Sequence, residues 1–176
     1  MYDKPSVSAP LILDGTHNTR DLGGYRTTDG HITKKRLFLR SDGIHKLSGH
    51  DKDYLYRYGV RRVIDLRSPA ETEMQKDAII GYQDIKYYNI PLTDHIHDGQ
   101  ILFPASIHEM YIEILENAKE SLYQVFQLIL SEQKGCILYH CTAGKDRTGI
   151  VSMLLLQLAG VDEQTTVADY AATEEY

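Results

Sequence analysis

In the stretch ILYHCTAGKDRTGIVSMLLLQLAG, Cys141 and Arg147 stand with five residues between them, among them Gly144 and Lys145. The run before Cys141 reads as a strand and the run from Thr148 as a helix. In a strand-to-helix loop of this kind the backbone N–H groups, here of Thr142, Ala143, Gly144, Lys145, Asp146 and Arg147, can turn inward and ring an anion. The positive end of the following helix dipole attracts the same charge. Gly144 permits a backbone shape that a Cβ resists. Arg147 offers a planar fork matching two phosphate oxygens, and Lys145 adds a second cation. A thiol at Cys141 stands at the centre of this positive field.

The field bears on the reactivity of the sulfur. An ordinary thiol, with a pKa of about 8.5, is only a few per cent thiolate at neutral pH. Cysteines at helix N-termini beside basic groups fall to roughly 3.5–7.5, and a three-unit drop is about 4 kcal/mol in favour of the thiolate. Such a sulfur attacks phosphorus, the amides and Arg147 hold the equatorial oxygens, and water then hydrolyses the phosphocysteine. Thr148 could donate its hydroxyl to the departing sulfur or serve only as a helix cap. His140 is expected to orient the loop by hydrogen bonding rather than to act as a base. Cys136 falls inside the strand, as core or as an oxidation partner of Cys141.

These groups need elements to hold them. Asp29-Gly30 within YRTTDGHIT marks a hairpin, and residues 36–41 read as a short strand. Ser48 is an N-cap for 49–58, with Asp51 placed to meet the first-turn amides. Residues 61–66 and 86–92 read as strands, the second ended by Pro91. Ser106 and Glu109 fit a capping box for a helix with Ile107, Met110, Tyr111, Ile114 and Leu115 on one face. A second helix over 118–131 aligns Leu122, Val125, Phe126 and Ile129. Residues 136–140 form a strand. Residues 148–159 form a helix with Ile150, Val151, Leu154, Leu155 and Leu158 on one face, closed by Gly160, and Asp162 caps a last helix. Strands alternating with helices predict an α/β fold, a mostly parallel central sheet flanked by helices. Ligands of such sheets sit beyond the C-terminal strand ends.

A chain of 176 residues implies one domain over 1–176, with 1–15 as an N-terminal arm carrying Pro5 and Pro10. The net charge of −6 argues against nucleic-acid partners, which need a basic face. Two cysteines are too few for a disulfide framework and suit a reducing compartment. There is no basic n-region followed by a long apolar run, and no apolar run near ~18 residues, so neither a signal peptide nor an integral membrane segment is expected. The cytoplasm is the expected location, with secretion by an unmarked route as the alternative.

The string HCTAGKDRTG resembles the loop of the cysteine-dependent protein tyrosine phosphatase superfamily, and within it the bacterial atypical tyrosine/lipid phosphatases. NTRDLGGY (18–25), RLFLRSDGIHKLS (36–48), GVRRVIDLRSPAE (59–71), NIPLTD (89–94) and ADYAATEEY at the C-terminus are similar to segments of that branch. The resemblance covers the chain from about residue 18 to its end. It implies a tyrosine phosphatase fold, no cofactor and no metal. It also implies a phosphoprotein or phosphoinositide substrate: phosphotyrosine, with phosphoserine/threonine and phosphoinositides as further possibilities. Family members continue through further helices, whereas this chain stops at Tyr176 and reads as a truncated or minimal form.

The leaving oxygen needs a proton, and general acid catalysis contributes about 10²–10⁴-fold. Asp94 could swing over the pocket as the acidic loop of many tyrosine phosphatases does; Asp146, inside the loop, ranks second. Lys145 resembles the lysine of tensin-type lipid phosphatases and suits a multiply phosphorylated head group. Arg20, Asp21, Asp65 and Arg67 border strand ends as supporting residues or as ordinary ion pairs. His95 and His97 could ligate a metal, but no third ligand follows at a telling spacing. A nucleotide-binding P-loop is disfavoured, because Asp146 stands where Ser or Thr should follow Gly-Lys. Two alternatives stay open: a rhodanese-like sulfurtransferase, whose loop is usually one residue shorter, and a non-catalytic phospho-ligand-binding module.

Overall fold

Every residue of Cys136–His140 is buried, so this strand needs cover on both faces. Side chains alternate along a strand. Ile137, Tyr139 and the adjoining Cys141 enter one apolar cluster, while Cys136 and Leu138 enter the other.

The computed structural model describes residues 7–92, 96–97, 100–101, 106–131 and 134–176. Its strands are β1 (Arg20–Asp21), β2 (Phe38–Ser41), β3 (Val60–Asp65), β4 (Lys86–Asn89), the two-residue β5 (Ile96–His97) and β6 (Gln100–Ile101), and β7 (Cys136–His140). Its helices are α1 (Gly49–Tyr58), α2 (Pro69–Met74), α3 (Ile107–Asn117), α4 (Lys119–Leu130), α5 (Asp146–Leu158) and α6 (Glu163–Ala171), with a 3-10 turn at Ala172–Glu174. The main sheet runs β1-β2-β7-β3-β4. Its strands are parallel except β1, which lies antiparallel on the edge. Ile114 of α3, Val125 of α4 and Val151 of α5 pack on one face of the sheet, and Leu55 of α1 on the other. This is the expected α/β architecture. Among the described residues no helix is long and apolar enough to cross a membrane.

Register decides where the site lies. Ser41 and Asp65 both pair with His140, and Asp65 pairs with Asn89. The parallel strands therefore end level, and the loops after Ser41, Asp65 and His140 leave side by side.

The caps follow local chemistry. Ser48 and Asp51 form a reciprocal capping box at α1, as do Ser68 and Glu71 at α2, and Asp162 caps α6. The Ser106 side chain accepts from the Glu109 amide at α3. The Asp29-Gly30 turn closes between Arg26 and Ile32. Several expectations change. The strand expected over 86–92 ends at Asn89. The helix expected from Thr148 begins at Asp146, since Lys145 already has helical dihedrals and an acidic first residue suits the helix dipole. Leu115 and Leu158 are 40% and 75% exposed, off the buried faces. The arm expected over 1–15 is tied down in part: Leu11 and Leu13 pack on the core, and the amides of Asp14 and Gly15 donate to Asp51.

Candidate active site

Cys141 follows β7 directly, and the loop 141–145 carries the chain into α5. Three of its carbonyls are tied to the scaffold. That of Cys141 accepts from His140 Nδ1 at 3.0 Å, and that of Thr142 from the Gly43 amide at 2.9 Å. That of Gly144 accepts from Arg40 at 2.9 Å and from Asn18 at 3.4 Å. In a planar trans peptide the N–H of the next residue points opposite to the carbonyl. The amides of Thr142, Ala143 and Lys145 therefore turn away from the scaffold. Among the described residues no side chain caps the start of α5. Gly144 has φ +67°, and a Cβ there would stand 2.6 Å from the Asp42 nitrogen, so the loop passes too close to β2 for any other residue. Cys141 is 2% exposed, while Thr142 and Ala143 above it are open to solvent.

Arg147 is half-buried and held by a residue that sequence reasoning did not assign. Glu71, at the start of α2, accepts from both terminal nitrogens of Arg147, at 2.6 and 2.9 Å. It also accepts from the Thr142 hydroxyl at 2.6 Å and from the Ser68 amide at 2.9 Å. Half-burial works against the Glu71 charge, yet these donors hold its carboxyl well below the usual range. Burial likewise works against the Arg147 charge. The Glu71 contacts, and next the nearby Cys141 sulfur, hold its pKa above the usual guanidinium value. The Thr148 hydroxyl is buried beneath them and has no partner among the described residues.

Behind the loop lie two buried charged groups. In the first, Asp65 takes the Arg67 guanidinium at 2.7 Å, and Arg67 also reaches Asp77 at 2.8 Å. His140 Nε2 sits 2.8 Å from Asp77. Burial pushes the His140 pKa down, but Asp77 and Asp65 overcome it and raise it above the ordinary value. In the second, Arg20 and Arg40 share Asp169 of α6, which also accepts from the Tyr25 hydroxyl. Both guanidiniums reach Thr173 in the 3-10 turn, at 3.1 and 3.3 Å.

The structure thus gathers His140, Cys141, Thr142, Ala143, Gly144, Lys145, Asp146, Arg147 and Thr148 at one end of the sheet, with Asp65, Arg67 and Arg20 beneath. Asp21 stands apart. It accepts from the Gly23 and Arg36 amides and from Tyr58, and its charge acts on Cys136 at the far end of β7. Cys136 and Cys141 are both free. Five residues along an extended chain separate their Cα atoms by roughly 16 Å, far beyond disulfide reach, which removes the oxidation pairing. Burial raises the Cys136 thiol to about 12. Lys145 pairs with Glu174 at 2.9 Å. Asp146 accepts from Tyr111 and Tyr170. Asp94 and His95 lie outside the described residues. The acidic and histidine set Asp65, Asp77 and His140 could hold a cation by spacing, but the Arg67 guanidinium already fills that role. Glu71, Asp77, Arg40, Asp169, Tyr111 and Tyr170 were not assigned from sequence. For Arg40 the signal was a charge inside the apolar run RLFLRS.

The sequence pattern of the tyrosine phosphatase family matches residues 11–176. The chain is 38% identical over 143 residues to a tyrosine-protein phosphatase of Nostoc commune, an alignment covering 79% of this chain and 49% of that protein. It is 26% identical over 196 residues to the triple specificity protein phosphatase PtpB of Mycobacterium tuberculosis, covering 93% and 68%. The chain thus spans about half the length of the first and about two-thirds of the second. Among solved structures, that of P. aeruginosa TpbA is similar at 15% identity and a TM-score of 0.47, covering 93% of this chain and 78% of that one.

Proposed function

Starting from the fact that this chain belongs to the tyrosine phosphatase family, we propose that it hydrolyses phosphate monoesters, phosphotyrosine first, through a phosphocysteine on Cys141. The observation that carries this reading is the loop itself: three carbonyls bonded outward, amides turned the other way, and Arg147 clamped at its end. The Cys141 sulfur attacks phosphorus as its anion, and the bond from phosphorus to the leaving oxygen breaks. The loop amides and Arg147 take the equatorial oxygens, where donors fixed in advance cost no reorganisation. Asp94 or Asp146 gives its proton to the leaving oxygen. Water then displaces the sulfur, and the Thr148 hydroxyl, without a partner among the described residues, is suited to receive the sulfur charge. Phosphoserine/threonine and phosphoinositides are the further substrate classes of this proposal; the name of the mycobacterial relative, a triple specificity protein phosphatase, supports a site that takes more than one class.

The test is turnover of an aryl phosphate in excess chelator by the wild type and by Cys141→Ser. Turnover that survives chelation and vanishes in the variant supports the reading. Loss on chelation, or activity retained by the serine variant, contradicts it. Thiocyanate formed from cyanide and a sulfur donor, without phosphate release, would favour a sulfurtransferase instead.

A further inference from the structure

Two phenols converge on Asp146 from different helices, and nothing in the chemistry above uses them. Tyr111 of α3 donates to Asp146 Oδ1 at 2.5 Å. Tyr170 of α6 lies 3.3 Å from the same oxygen and makes a short hydroxyl–hydroxyl contact with Tyr111. The rings meet edge to face, 6.3 Å apart at 74°, a favourable aromatic arrangement. Asp146 is the first residue of α5 and only partly buried. Without partners, a carboxylate there samples several rotamers. With Oδ1 held from two sides, one orientation is kept.

Gly149 bears on the same point. It stands in the first turn of α5, where its conformation asks for no glycine. Yet a Cβ at 149 would lie 2.8 Å from Tyr170 Cδ2 and 2.9 Å from Cε2. The missing side chain is what lets the Tyr170 ring lie flush on the helix and bring its hydroxyl to Asp146. The glycine closing the string DRTG is thereby explained by a contact with a residue from α6.

We propose that Tyr111 and Tyr170 are positioning residues that pin Asp146 through Oδ1, so that Oδ2 faces the leaving oxygen and hands it a proton as the sulfur–phosphorus bond forms. The inference rests on the hydrolase reading above, and within it selects Asp146 over Asp94. Pinning matters because a misplacement of about 1 Å in a reacting group can cost 10²-fold in rate.

The experiment compares Tyr111→Phe, Tyr170→Phe, Gly149→Ala and Asp146→Asn on two substrates, phenyl phosphate and a dinitrated phenyl phosphate. The nitrated phenol leaves with little help from an acid. For Tyr111→Phe the expected result is a fall in kcat of about 10-fold on phenyl phosphate, a part of the full general-acid effect. KM should stay within about twofold, as expected when an interaction made only in the transition state is lost. The nitrated substrate should lose little, and inhibition by inorganic phosphate should be unchanged. Asp146→Asn should show the same pattern more strongly. Tyr170→Phe and Gly149→Ala should reproduce it and carry the test alone if Tyr111→Phe does not fold. Equal losses on both substrates, no loss, or weakened phosphate inhibition would overturn the proposal, since those mark a structural role. An Asp146→Asn variant insensitive to the leaving group would place the acid elsewhere, defeating this inference while leaving the hydrolase reading standing. A wild type with no aryl phosphate turnover would defeat both.

Discussion

Glu71 serves two elements with one carboxylate. It closes the capping box of α2 and holds both terminal nitrogens of Arg147. A neutral amide keeps the shape but cannot accept on both atoms, so Glu71→Gln frees the guanidinium to rotate. We expect kcat/KM on an aryl phosphate to fall about 10²-fold, the scale of a misplaced binding group; a change under twofold would show that Arg147 needs no such clamp. His140 makes a different prediction. Both its ring nitrogens face acceptors, Asp77 Oδ2 and the Cys141 carbonyl. Both must carry protons for both bonds to form, and the imidazolium neutralises a buried group otherwise holding two carboxylates against one guanidinium. Its pKa is raised by folding, so the folded state binds the extra proton. That stability is complete below about pH 6.5, the unfolded value, and is lost as pH rises through the folded value. Urea midpoints followed upward from pH 6 should decline, and Asp77→Asn should flatten that decline. Parallel curves would refute the assignment.

At the scale of elements, α6 and the turn after it act as a brace for the loop. Asp169 binds Arg20 and Arg40, and Arg40 in turn holds the Gly144 carbonyl. Asp169→Ala leaves two guanidiniums buried without their carboxylate. Breaking a buried pair from one side costs about 3–5 kcal/mol, which for a domain of this size lowers Tm by roughly 6–20 °C. Calorimetry checks this; a loss under about 1 kcal/mol would mean that water or Thr173 takes over. Gly144→Ala should act at the other end of the brace. It meets both a positive φ and a Cβ position 2.7 Å from the Ser41 carbonyl carbon, so phosphate inhibition should be lost even where the variant stays folded.

At the scale of the whole molecule, parallel strands of one sheet end level and deliver every loop of the site to one edge, on a chain carrying a net charge of −6. An anionic substrate approaches such a molecule only where cations gather. Lys145 is one of them, tied by an exposed pair to Glu174. Exposed pairs are weak and yield to salt or to a stronger anion. We therefore expect Lys145→Ala to lower turnover of a multiply phosphorylated phosphoinositide more than that of an aryl phosphate. Equal losses on both would remove the lysine from substrate selection.

The order of residues along the chain was enough for whatever is decided within a few positions. The β7 strand, the caps at Ser48 and Asp162, and the run from Cys141 through Arg147 into α5 rest on alternation, on side chains reaching amides three residues on, and on glycine's freedom. All of these act locally. The order could not announce the partners that make the run work. Glu71 lies 76 residues from Arg147, Asp77 lies 63 from His140, and Asp169 lies 129 from Arg40. Those contacts exist because β7, late in the chain, inserts between β2 and β3. A buried charge accepts whichever opposite charge the strand order brings within hydrogen-bond reach, and strand order is settled only when the two apolar faces of the sheet are covered together.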